Sequence, residues 1–155
     1  MRPLDDHPDI ARNVQALRVI TYILTLTLAL FLGMAAFLHY GAGYDEVPED
    51  AGLLTNLALL VGGAAILIVA AFRSHLMARA LEAWKAGDPA TFAQRYGSGI
   101  LVALVAMSGA GFLMGVAFLI EKDPMTLTAG VLCVLAILAN VPSPNRVNNM
   151  LEALA

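Results

Sequence analysis

Residues 52–72 read GLLTNLALLVGGAAILIVAAF, an apolar run without a single Asp, Glu, Lys, Arg or His. At about 1.5 Å per helical residue, eighteen or more such residues are long enough to cross a hydrocarbon layer of roughly 30 Å. Working outward, the same pattern recurs at 19–38 and 97–120, and in a shorter form at 125–141. Backbone groups in lipid must be satisfied within the chain, and none of these runs alternates as a barrel strand would, so each reads as a helix. The expected fold class is all-α: a polytopic membrane protein with four transmembrane helices, forming one domain over residues 1–155.

Composition agrees with that expectation. The chain is 59% hydrophobic and only 14% charged, with a mean hydropathy of +0.75, too apolar for an ordinary soluble domain of 155 residues. A lipid bilayer is the expected partner and a nucleic acid is not. The first run is too long, and is preceded by too much polar chain, to be a secretory signal. The single cysteine, Cys133, falls inside the fourth run, which rules out an intrachain disulfide and suits a small packing residue.

Orientation follows from the nine Lys and Arg residues. Arg2, Arg12 and Arg18 precede span one; Arg73, Arg79, Lys85 and Arg95 lie between spans two and three; Arg146 follows span four. Only Lys122 falls on the other side, among Asp45, Glu46, Glu49, Asp50, Glu121 and Asp123. Short loops rich in Lys and Arg stay in the cytoplasm, so both termini and the middle loop are expected there. Tyr40, Tyr44, Trp84 and Tyr96 sit near the expected interfaces, where amphipathic rings are favoured.

Helix ends are marked by small devices. Nothing between Arg73 and Ala86 breaks a helix, so span two is expected to run on into the cytoplasm until Gly87, with Asp88-Pro89 then starting span three. On this extension Leu76, Met77, Ala80, Leu81 and Trp84 form an apolar stripe that must pack on something, either the start of helix three and the N-terminal helix or another subunit. Asp123-Pro124 repeats the cap-plus-proline device before span four. Pro142 ends that span, and residues 144–154, with Val147, Met150, Leu151 and Leu154 on one face, read as a short amphipathic helix on the inner membrane surface. Upstream, Asp9 can cap a helix in which Ile10, Val14 and Leu17 share a face. The acidic loop from Gly41 to Asp50 lacks calcium-loop spacing and reads as solvated chain.

No catalytic, metal or cofactor motif emerges, and no cofactor is expected. Without an intramembrane charge there is no proton or ion path of the usual kind, and a four-span rotor proteolipid is excluded by the missing mid-span acid. His39 and His75 fall at opposite ends of their spans and cannot share a haem. Ser108 has no base at its depth. Asn56 and Asn140 are the in-span polar side chains suited to interhelical hydrogen bonds.

What does recur is small residues at three- and four-residue steps: Ala58, Gly62 and Ala65 in span two, and Gly99, Ala103, Ala106, Ala110, Gly111 and Gly115 in span three. Such stripes let membrane helices approach closely, and they are the expected packing or oligomer interface.

From Arg95 to Arg146 the order of features resembles that of small four-span bacterial membrane proteins of uncharacterised function. It comprises an Arg before span three, Ser108 to Gly111 at its middle, Gly115 to Ile120, a short polar turn, and a span ending in Pro142 and Arg146. The resemblance covers about a third of the chain and implies a bacterial inner membrane. Two functions fit: a non-enzymatic structural or accessory subunit of a homo-oligomer or larger membrane complex, or a small channel or carrier for a neutral or apolar solute.

Overall fold

The structure is a computed structural model describing residues 7–41 and 52–152. Arg2, Tyr44, the acidic residues 45–50 and Leu154 lie outside the described residues. All regular structure among the described residues is helical: α1 (Pro8–Gly41), α2 (Leu53–Lys85), α3 (Pro89–Glu121), α4 (Pro124–Ala139) and α5 (Pro144–Glu152). The first three are long and apolar enough to cross a membrane. The bent pair α4–α5, turned by 60° at its break, passes the same test only if taken as one span. Several long apolar helices of this kind fit a multi-pass membrane protein.

The three long helices of 33 or 34 residues extend about 50 Å, well beyond a hydrocarbon layer of roughly 30 Å. The surplus is gathered at one end. There α2 stops in a Schellman motif: Gly87, at φ +75°, donates its N–H to Trp84 O, and Asp88 N–H returns to Ala83 O. Asp88 then opens α3 by accepting from Thr91 N at 3.0 Å, with Pro89 in the first turn. Hydrogen bonds from Thr91, side chain and backbone, hold the Asp88 carboxyl below the ordinary carboxylate range.

This end has a core of large side chains. Ile10, Val14 and Leu17 of α1, Ala80 and Ala83 of α2, Phe92, Tyr96 and Ile100 of α3, and Val147 and Leu151 of α5 are buried in one cluster. Rings interlock around it: Trp84 meets His7 and Phe92 edge-on, and Phe92 stacks on Tyr96. The apolar stripe of the α2 extension is therefore covered by the start of α3 and the start of α1. Helix α5 departs from the sequence expectation. Its Val147 and Leu151, at 1% and 0% exposure, face this core, so protein covers them where the sequence pattern suggested lipid. Burial in the cluster that also holds Val14 and Phe92 satisfies the same amphipathic pattern without lipid.

Helix α3 is central. It packs on α1, α2 and α4, whereas the backbones of α1 and α2 stay apart and the two meet through side chains at the Gly87 end, as where His7 reaches Trp84. At the end away from Gly87, Lys122 adopts a left-handed conformation (φ 56°) and Asp123 accepts from Met125 N at 2.8 Å, so that α3 turns into α4 within a few residues.

Candidate functional site

The small residues of α3 divide between two partners. Gly99 faces Leu76 and Met77 of α2, and Ala110 with Met114 faces Gly62 of α2. About 100° around the helix, Gly111 faces Leu28 of α1 and Cys133 of α4, and Gly115 faces Phe31 and Leu32 of α1. A Cβ at Gly111 would meet Leu28 Cδ2 at 2.6 Å, and one at Gly115 would meet Phe31 Cε1 at 2.5 Å. Ala58 and Ala103 are buried, and Ala65 and Ala106 are half-buried. These small side chains thus let helices of one chain approach each other. Within α1, α2 and α3 the glycines left open are others: Gly33, Gly63 and Gly109, around whose Cβ positions there is free space.

The remaining face of α3, turned away from α4, is bare. Leu101, Val105, Gly109 and Val116 follow one another at four- and seven-residue steps, with Val102 three before Val105, and all are exposed, Val105 to 66%. Its flanks are α1 and α2, which leave it uncovered because their backbones stay apart.

Two polar contacts tie the bundle, one at each end. Helix α2 begins at Gly52 with no side-chain cap of its own. Instead Glu121, the last residue of α3, reaches across and accepts from Leu54 N and Thr55 N, both at 2.7 Å. A carboxylate on the first amides of a helix satisfies orphan donors and meets the positive end of the dipole. Sequence reasoning placed Glu121 among loop acids, because nothing local signals a cap borrowed from 66 or 67 residues away.

At the opposite end, Arg73 Nη1 donates to Asn140 Oδ1 at 2.7 Å, and Asn140 Nδ2 donates to Ala136 O at 2.8 Å. Arg73 is the first charge after the apolar run of α2, and Asn140 is the C-cap of α4, so a cation is drawn to the negative end of α4. Arg146 Nη1 approaches Ala139 O of the same terminus at 3.5 Å. Between α2, α3 and the α4–α5 bend these residues line a half-open cavity of about 290 Å³, with Tyr96 on its wall.

Other sequence candidates stay apart. His39 packs edge-on against Phe118 at one end of the bundle, and His75 is exposed near the other. Asn56 is exposed, while the hydroxyls of Thr21 and Thr25 bond to carbonyls of their own helix. Ser108 is buried with its Oγ unpartnered. Among the described residues, no three His, Cys, Asp or Glu side chains converge as metal ligands.

No known family model matches the sequence, and neither a curated protein nor a solved structure is significantly similar to it. What the fold defines is a class: an all-helical polytopic chain with three, or up to four, helices suited to span a membrane.

Proposed function

We propose that the chain is a non-enzymatic, four-span protein of a bacterial inner membrane, acting as a structural or accessory subunit through lateral association. Both ends and the α2–α3 turn lie in the cytoplasm. Support for the fourth span is connectivity: α4 leaves the Glu121 end, and α5 packs beside Val14 and Phe92 at the Gly87 end, so α4 crosses between them. At 16 residues it is about 24 Å long, a shortfall that local thinning and its polar ends accommodate. Orientation is supported by Arg12, Arg18, Arg73, Arg79, Lys85, Arg95 and Arg146 gathering at one end.

The observation that carries association is the bare face of α3. Its glycines and alanines inside the chain are consumed, while the stripe from Leu101 to Val116 keeps Gly109 recessed between Val105 and Val116. A second copy or another membrane subunit can approach closely there. Native mass spectrometry from lipid nanodiscs, with Val105→Cys crosslinking in a Cys133→Ser background, tests this. Association predicts an oligomer or a co-purifying subunit and a crosslink at Val105, but none from Leu135→Cys on α4. A uniform monomer with no crosslink at Val105 would refute it.

A carrier for an apolar solute is the second reading, favoured by a cleft of about 290 Å³ between α2 and α4 lined by Leu59, Ile66, Met107 and Leu132. Its lining residues all belong to mid-helix positions, which makes it a lateral cleft and not a path between the two ends.

A further inference from the structure

The cavity at the α4–α5 bend holds an imbalance that the packing does not use. Arg73 and Arg146 both line it, together with Tyr96 and Asn140, and no carboxylate does. Both guanidinium groups lie within Coulombic reach of Tyr96, which places two positive charges around one small space. Neither arginine forms an ion pair with a described residue. Each guanidinium has five N–H donors. Arg73 spends one on Asn140, and Arg146 makes a single contact at the distance limit with Ala139. Asn140 cannot neutralise them, since its amide carries no net charge; it only accepts from Arg73 while donating to Ala136 O. Arg73 is half-buried between helices and Arg146 stands exposed at the mouth of the cavity, so two half-used cationic forks face one space without a counter-charge.

Depth identifies the missing partner. Arg73 stands 20 residues beyond the start of α2 at Leu53, about 30 Å along the helix, which is the thickness of the hydrocarbon layer. It therefore reaches the level where phosphate groups of a bilayer lie. The remaining walls, Met77 and Met150 among them, are apolar, as suits a group that enters from the lipid side. The volume is at the low end for small-molecule pockets, enough for a headgroup and not for a whole lipid.

We infer that this cavity binds an anionic phosphate group, held by the guanidinium forks of Arg73 and Arg146. Planar forks match phosphate oxygens bidentately, and basic pockets between membrane helices are established places for anionic headgroups. The bound group bridges α2 to α5 and locks the bend. This site is separate from the bare face of α3 and is independent of any lateral association.

The full chain is purified and examined by native mass spectrometry with phosphatidylglycerol and phosphatidylcholine of identical acyl chains. In phosphatidylcholine a choline cation accompanies the phosphate and is repelled by the two arginines. The wild type should retain phosphatidylglycerol preferentially, by about fivefold for each arginine, the weight of one basic residue at an anionic surface. R146Q should lower the preference about fivefold and R73Q should do likewise, while R12Q, exposed at the same end, should leave it unchanged. Should R73Q fail to fold, R146Q decides, because its only contact is marginal. Thermal stability with added inorganic phosphate separates the sources. A gain in wild type that R146Q abolishes, without lipid preference, supports a soluble phosphate; lipid preference without that gain supports a headgroup. Equal retention of the two lipids with no phosphate response, or a preference unchanged in R146Q, overturns the site.

Discussion

The Gly87 end and the middle of the bundle pack and face outward in different ways. At the Gly87 end four helices converge on Phe92, Val14, Val147 and Leu151, large side chains at 0–1% exposure. In the middle, Gly62, Gly111 and Gly115 make room for the buried Met114, Leu28 and Leu32, while Leu26, Leu30, Leu67 and Val105 point outward at 61–73% exposure. The difference is one of solvent. In water, burying a large apolar side chain stabilises by about 1.5–3 kcal/mol, so size is favoured inside. In lipid the outside is as apolar as the inside, and only close approach and dispersion distinguish packed from unpacked helices. On the four-span reading proposed above, one chain carries an aqueous core on top of a lipid-solvated bundle.

The largest effect is expected where the aqueous rule holds. Phe92→Ala removes the ring that Trp84 and Tyr96 both touch. It should cost about 3–5 kcal/mol, read as a lowered melting temperature in one detergent. The lipid rule predicts the reverse substitution to be harmful in the middle. Gly115→Ile drives a branched side chain into Phe31 and Leu32 and should cost about 1–3 kcal/mol, whereas Leu132→Ile on the exposed face of α4 should be almost silent. Equal tolerance of Gly115→Ile and Leu132→Ile would erase the distinction between the two regions.

A smaller, local effect is expected at Glu121. In Glu121→Gln the side-chain amide turns an N–H₂ toward one of two backbone donors that both need an acceptor. Hydrogen exchange should quicken at Leu54 and Thr55 while the amides around Phe92 keep their protection. Unchanged exchange at the start of α2 would show that the helix caps itself.

Much of this was legible in the sequence, for reasons specific to each element. The long runs in α1, α2 and α3 announce themselves because lipid forbids charge over their whole length. The turn at Gly87 was legible because glycine followed by Asp-Pro is local chemistry. Asn140 was legible as a residue seeking an interhelical bond, but its partner Arg73, 67 positions away, was not. Glu121 was hidden for the same reason, and more deeply, since an acid after an apolar run looks like any loop residue. The docking of α5 was missed because an amphipathic stripe carries no label saying whether protein or lipid covers it. Small residues at helical spacing told of close approach; which helix approached which depended on the register of the whole bundle.

The most direct test asks which ends of the bundle lie on which side of a membrane. Asp88→Cys, in the turn above the aqueous core, and Asp123→Cys, in the turn at the other end, are expressed in a Cys133→Ser background in a bacterial host. An impermeant thiol reagent is applied to intact spheroplasts and then after permeabilisation. Asp123→Cys should react in intact cells and Asp88→Cys only once the membrane is opened, if the arginine-rich end is held inside as proposed. Labelling of Asp88→Cys in intact spheroplasts, or of both positions alike, would contradict a bundle that crosses the bilayer with its aqueous core in the cytoplasm.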